Sequence, residues 1–289
     1  MYIGQVFVNW LLLASLYAAV ALGFSLVWGI MKIVNLAHGA FILVGAYIAY
    51  WAFTKWHIDP FASIVLSIVV LFVIGWLVQY VVINRVIRAP MLVTFLLTFG
   101  LNLLMVDLVQ QMFTSDLRSI NTPYAGIGID LGSTHIAFDR VLAALIALLL
   151  ATALSLFLSR TRFGNAILAT GMDHEAARLM GINIRITYAV TFGIGAALAG
   201  AAGAMLAQFY PFNPSVGESF TLSAFVIVVL GGLGTPWTVV AGGLVFALAE
   251  TVVPLIPALG PGYNNVIAFG VLVLVLIFRP NGLLGKPIS

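Results

Sequence analysis

Nine apolar runs separated by short polar segments leave this chain few possible folds. A membrane-spanning helix needs about 20 predominantly apolar residues. Runs near that length fall at residues 5–29, 37–53, 61–82, 91–113, 138–158, 186–209, 237–253 and 263–278. A ninth, 220–230, is too short to span comfortably and reads as a half-helix paired with its successor around residues 231–236. Lipid offers the backbone no hydrogen bonds, so only helices and closed barrels cross it, and runs of this length suit helices. Charged residues make up 7% of the chain, against roughly 25% in a soluble domain. The expected fold is therefore all-α: a polytopic transmembrane helical bundle of eight or nine segments, forming one domain over residues 1–289. No Lys or Arg precedes Lys32, so the first run reads as a retained span and not a signal peptide.

The basic residues set the expected orientation. With the first run starting outside, Lys32, Arg85, Arg88, Arg160, Arg162, Arg178, Arg185, Arg279 and Lys286 fall on one side. Lys55, Arg118 and Arg140 fall on the other. The richer side is cytoplasmic, which leaves residues 114–137 as an extracytoplasmic loop and the C-terminal end in the cytoplasm. Although the sequence pI is 9.3, the positive charges are dispersed between apolar runs and form no nucleic-acid footprint.

One polar stretch on the cytoplasmic side, residues 159–185, has an internal helical design. Thr170 or Asp173 can cap a helix start, His174 to Met180 are mostly good helix formers, and Gly181 stands where a left-handed C-terminal residue belongs. A helix of two turns is marginal in water and needs a surface to dock on. Ala176, Ala177 and Met180 are expected to offer that partner a shallow face.

Two apolar regions are interrupted, one at residues 32–39 and one at residues 231–236. Broken helices in the two halves of a membrane protein point to a translocation site, because the freed backbone must face protein or water. Gly39, Gly231, Gly232 and Gly234 mark these breaks. Asn35 can cap the second helix, and with His38 it makes a helix N-terminus suited to a carboxylate; the alternative for His38 is an interfacial residue with a satisfied hydrogen bond. Thr98 and Asn102, one turn apart, add neutral polar groups that either face the same lumen or bond within the bundle. Asp107 and Glu250 are the acidic residues deepest in the apolar runs, and both are expected toward the external side. Gly193, Gly195, Gly200 and Gly203, and Gly39 and Gly45 in the second run, read as close-packing positions.

Nothing in the chain has the pattern of an enzyme. His38, His57, His135 and His174 lie in separate segments without metal-ligand spacing, and there is no cysteine. The terminal GLLGKP has the outline of a phosphate loop, but Pro280 and Pro287 occupy positions where that motif needs Gly and Ser or Thr. The chain is expected to hold no cofactor of its own.

Several segments together resemble the permease subunits of ATP-binding-cassette importers for branched-chain amino acids, of the LivH type. They are IVNLAHGAF, RVIRAP, LLTFGLNL, TRFGNAILAT, EAARLMGI, VIVVLGGLGT and FRPNGLLG, and their order covers nearly the whole chain. The resemblance implies alternating access in a cell inner membrane and a partnership with a second permease subunit, related or identical. It also implies two cytoplasmic subunits that bind ATP and an extracytoplasmic solute-binding protein. It places Glu175, Ala176, Ala177 and Gly181, with Arg178 among them, in an ATPase-coupling helix; the Leu-Pro pair that follows in the broader importer motif is absent. Urea and short amides are the alternative cargo in that family, and an ion-coupled carrier is the alternative mechanism.

Overall fold

The computed structural model describes residues 3–87, 89–122, 126–131, 134–233, 235–256 and 264–285. Each of the nine apolar runs forms a helix. The first five are α1 (Ile3–Met31), α2 (His38–Trp56), α3 (Ser63–Val81), α4 (Met91–Phe113) and α5 (Phe138–Arg160). Two short helices follow, α6 (Arg162–Met172) and α7 (His174–Leu179). The chain continues through α8 (Ile184–Leu206), α9 (Gly217–Gly231), α10 (Pro236–Val252) and α11 (Asn264–Phe278). The all-α expectation holds except for one small hairpin, β1 (Gly128–Leu131) against β2 (Thr134–Ala137), in the loop before α5.

Seven stretches among the described residues are long and apolar enough to cross a membrane: Ile3–Met31, Ser63–Arg85, Met91–Phe113, Phe138–Arg160, Ile184–Leu206, Pro214–Gly231 and Pro236–Leu255. Helix α2 is not among them. It carries Tyr47, Tyr50, Trp51 and Lys55 in its second half, and it lies inside the bundle with His38, Phe41, Ile42, Tyr47 and Ala49 all buried. A helix surrounded by protein does not need an outer face suited to lipid. Helix α11 is apolar but shorter.

The bundle is built around α8, whose residues are buried along nearly its whole length. Helices α1, α2 and α3 pack directly on it. Such close contact requires missing side chains. A Cβ on Gly203 would overlap the Ile42 carbonyl of α2, and one on Gly45 would overlap the backbone at Gly200. The small-residue faces thus act as close-packing surfaces, which in a membrane replace the hydrophobic driving force between helices with dispersion contacts. Helices α10 and α9 lie against α1, and α5 flanks α1 on another side. Helix α4 stands apart, touching mainly α2 and the short turn Pro214–Val216 before α9.

The two ends of the bundle differ in charge. Lys32, Asn84, Arg178 and Arg185 surround one cavity. At the opposite end, Arg118 forms an antiparallel bridge with Phe212 and lies over the Tyr50 ring, while Gln5 at the start of α1 bonds both backbone groups of His135 in the hairpin.

Candidate functional site

The polar stretch between α5 and α8 folds into two capped helices. Thr161 opens α6 by accepting the Gly164 N–H at 2.9 Å. Asp173 opens α7 by accepting the N–H groups of Glu175 at 2.9 Å and Ala176 at 3.1 Å. These two bonds hold the Asp173 carboxyl below its ordinary value of 3.8, since they favour the ionised form. Thr170, the other candidate cap, is instead buried within α6 and donates to the Ala166 carbonyl at 2.8 Å. At the far end Gly181 has φ +85°, and the N–H groups of Gly181 and Ile182 return to the carbonyls of Arg178 and Ala177. This is the left-handed stop expected of the sequence. Helix α6 was not foreseen; its signal is Thr161 three residues before Gly164.

The outward face of α7 differs from the expected one. Ala177 is 4% exposed and turns into its own chain, where α7 rests on α6 and α8. Met172, Leu179 and Met180 are 85%, 89% and 83% exposed, and Glu175, Ala176 and Arg178 are also open. One surface position cannot face both ways around a helix. Ala177 therefore anchors the helix; Ala176 and Met180 lie open as expected, and Leu179 joins them on the free side. Beside α7 lies a cavity of about 1090 Å³, whose lining includes Lys32, Asn84, His174, Glu175, Arg178 and Arg185.

The break between α1 and α2 gathers four of the residues singled out in the sequence. The chain leaves α1 through Lys32 at φ +56° and re-enters a helix at His38. Thr98 Oγ1 of α4 accepts the Leu36 N–H at 3.3 Å and lies 3.3 Å from the Val34 carbonyl. Thr221 Oγ1 of α9 accepts the Gly39 N–H at 2.8 Å, and a Cβ on Gly39 would overlap the Gly217 carbonyl. Asn35 Oδ1 accepts the Ala37 N–H at 3.1 Å, so it fixes the turn before the helix and does not cap α2 itself. His38 is 2% exposed, with Nε2 2.8 Å from the Val20 carbonyl and its ring edge-on to Phe24. The polar groups at this N-terminus are thus engaged with backbone in the packed bundle. Sequence reasoning passed over Thr221, whose partner lies 182 positions away.

Helix α4 separates its polar residues. Thr94, Thr98, Asn102 and Val109 form its buried stripe, and Asn102 Oδ1 has no hydrogen-bond partner among the described residues. Asp107 points the other way, exposed, with Gln111 Nε2 donating to its carboxylate at 2.7 Å. Thr98 and Asn102 therefore do not share a surface with Asp107.

At the second break, Gly231 ends α9 and Gly232 turns at φ +89°; Gly234 lies outside the described residues. Helix carbonyls freed here are satisfied by a segment from the end of the chain. The Leu283 N–H donates to the Leu230 carbonyl at 2.8 Å and the Leu284 N–H to the Gly231 carbonyl at 3.1 Å. Thr238 Oγ1 donates to the Gly232 carbonyl at 2.6 Å. A Cβ on Gly232 would meet the backbone of Asn281 and Gly285. The terminal NGLLG is thus the cap of α9, a role that sequence distance concealed.

Comparison with known proteins agrees with this architecture. A family model described as branched-chain amino acid transport system, permease component, matches residues 6–276. The high-affinity branched-chain amino acid transport system permease protein BraD of Pseudomonas aeruginosa is 33% identical over 98% of this chain and 96% of its own length. The corresponding permease protein LivH of Escherichia coli is 31% identical over 99% and 97%. LivM of the same organism is 28% identical over 94% of this chain and 68% of its own length. With its multi-pass helical body and a match across almost its full length, the chain belongs to the family of permease components of branched-chain amino acid transport systems.

Proposed function

We propose that this chain is the membrane-spanning subunit of an ATP-driven importer that carries branched-chain or similar hydrophobic amino acids across a cell inner membrane. In this reading ATP is bound by two cytoplasmic partner subunits, a solute-binding protein delivers cargo outside, and a second permease completes the passage. The basic end of the bundle is cytoplasmic, and α1 starts on the outside. The exposed apolar face of α7 carries the proposal. Leu179 and Met180 stand out at the end of a short helix that is fixed at both ends by Asp173 and Gly181, and Met172, the last residue of α6, stands out just before it. Large apolar side chains clustered on a water-facing surface mark a protein interaction site.

The mechanism asks little chemistry of the chain itself. Closure of the ATP-bound partners moves α7, and α7 transmits the movement through Ala177 and its seat on α6 and α8. Since α8 is packed backbone-to-backbone on α1, α2 and α3, it moves with them as one unit. Such a tightly packed body switches between discrete arrangements, here outward-open and inward-open.

Leu179→Asp tests the coupling role without disturbing the chain's own packing. The variant is expected to reach the membrane normally, lose the copurifying ATPase in mild detergent and lose uptake. Normal ATPase association together with normal uptake would overturn the assignment. Uptake that is abolished by an uncoupler while ATP is maintained would instead establish an ion-coupled carrier. Transport of urea in place of leucine would correct the cargo.

A further inference from the structure

Helix α8 is enclosed by protein except at one window. From Thr187 to its end at Leu206 every residue is buried but Val190 and Ile194, which lie one turn apart on a single face. Over them runs a groove of about 560 Å³ between α3 and α5, with Phe72, Leu150, Phe157 and Phe163 in its walls. Every lining side chain is hydrocarbon. The groove exists because α5 packs on α1 and only grazes α8, so that α3 and α5 stand apart as two banks. The banks continue into open aliphatic rows, Val65, Val69, Val73 and Leu77 on α3 and Leu145, Leu149 and Leu156 on α5, the kind of surface that meets lipid. Leu150 lies ten residues before Arg160 at the end of α5, and Ile194 ten residues after Ile184 at the start of α8. Each distance is about 15 Å along the axis, half of a hydrocarbon core about 30 Å thick. The groove therefore has the depth of one leaflet.

The end of the groove nearest α6 is fixed and basic. Thr161 Oγ1 donates to the Phe157 carbonyl at 2.7 Å and accepts the Gly164 N–H, and a Cβ on Gly164 would overlap the Phe157 carbonyl. This tight corner sets Arg160 and Arg162 on either side of Thr161, immediately before Phe163 in the groove wall. Both arginines are exposed, and neither has an ion pair among the described residues. On the opposite bank Phe72, Trp76 and Tyr80 follow at four-residue spacing. Trp76 stacks on Tyr80 at 5.1 Å, and the Arg185 guanidinium lies 4.3 Å over the Tyr80 ring. Stacked aromatics beside cations mark the level of the membrane interface.

We propose that this groove binds an anionic phospholipid of the cytoplasmic leaflet, with one acyl chain laid along Val190 and Ile194 and the phosphate held at Arg160 and Arg162. An apolar lining gives water no hydrogen-bond partner, so hydrocarbon is the occupant that suits it. Two arginines without carboxylate partners match a phosphodiester, and basic sites between transmembrane helices on the cytoplasmic side suit anionic headgroups. Among the described residues no glycine lines the groove, whereas a protein helix packs closely where small residues admit it. The bound chain completes the cover of α8. The inference uses the orientation given above and is otherwise independent of the importer reading.

A phosphatidylglycerol carrying a diazirine midway along one acyl chain tests the site. The full-length protein, purified with the subunits that accompany it, is placed in phosphatidylcholine nanodiscs containing a small fraction of this probe, illuminated, and mapped by mass spectrometry. Labelling is expected at Phe157, Val190 and Ile194, about tenfold above the open α3 positions Val65 and Val69, and about tenfold above that from the same probe built on phosphatidylcholine. Arg160→Gln combined with Arg162→Gln should abolish the preference between the two headgroups and leave Tm unchanged, since neither arginine has an ion pair to lose. Groove labelling no stronger than at Val65 and Val69 would overturn the site. Equal labelling by the two wild-type probes, or a preference that survives in the double variant, would overturn the anionic assignment. A photoreactive amino acid at Ile194 supplies a second test in native membranes: a lipid adduct is expected, and an adduct with another protein in its place would overturn the proposal. Transport is read in none of these arms, so failure of the importer reading leaves their outcome unchanged.

Discussion

Replacing Thr98 by valine removes one hydroxyl from the packed bundle and changes little else. The two side chains have nearly the same shape, so no cavity opens. What is lost is the acceptor for the Leu36 N–H at 3.3 Å and the contact 3.3 Å from the Val34 carbonyl, both in the break between α1 and α2, together with the hydroxyl's bond to the Phe95 carbonyl of α4 at 3.0 Å. Thr98 is fully buried, and its bond with the Leu36 N–H is partly buried. An orphaned buried donor costs about 1–3 kcal/mol. For a chain of this size, each kcal/mol corresponds to about 2 °C in Tm, so Thr98→Val is expected to melt about 2–6 °C below wild type. Thr98→Ser keeps the hydroxyl and should recover most of the difference. The assay is thermal unfolding of the purified chain in one detergent, followed by intrinsic fluorescence from its six tryptophans. A Thr98→Val midpoint equal to wild type would refute the claim that this hydroxyl holds the break, and a Thr98→Ser midpoint as low as Thr98→Val would assign the loss to packing.

Further consequences follow from the same contacts. Gly203→Leu drives a side chain into the Ile42 carbonyl, which should destabilise the α2–α8 contact by at least the 1–3 kcal/mol typical of overpacking and sharply lower the yield of monodisperse protein. Leu283→Pro deletes the N–H that caps Leu230, and hydrogen exchange at Leu284 should quicken as the terminal segment loosens from α9. The Asp173 cap is pH-dependent. Because its folded value is depressed, the cap's contribution is present above the ordinary 3.8 and disappears as pH falls through the lower folded value. Protection of the Glu175 and Ala176 amides, corrected for intrinsic exchange, should therefore fall below pH 3.8 in wild type and stay flat in Asp173→Asn, which keeps the acceptor oxygen.

Where the sequence was informative, the signal was local. Apolar run length located nine helices, because a span's length is dictated by the bilayer and not by its neighbours. Asp173 and Gly181 delimited α7, since caps act within three or four residues. Glycine and alanine spacing identified α8 as a close-packing helix. The missing parts depended on distant contacts. Nothing local shows that α2, with Tyr47 and Trp51, is interior while α4 is peripheral. The six residues of α7 carry alanine at both 176 and 177, so only the seat on α6 and α8 decides that Ala177 is the buried one. For His38 the sequence left a substrate contact and a satisfied structural hydrogen bond both open, because its polar neighbours were visible and its partner, the Val20 carbonyl one helix earlier, was not. The terminal segment's cap on α9 joins residues more than 50 positions apart.

The central claim is that exposed apolar side chains on α7 couple this permease to an ATPase. Its most direct measurement is leucine uptake into proteoliposomes holding the assembled transporter with enclosed ATP, wild type against Leu179→Asp. Burial of a leucine side chain at an interface contributes about 1.5–3 kcal/mol, so ATPase association should weaken roughly 10- to 150-fold and uptake should fall with it, while Tm stays at the wild-type value. Leu179→Asp proteoliposomes that bind the ATPase and take up leucine at the wild-type rate would contradict the account.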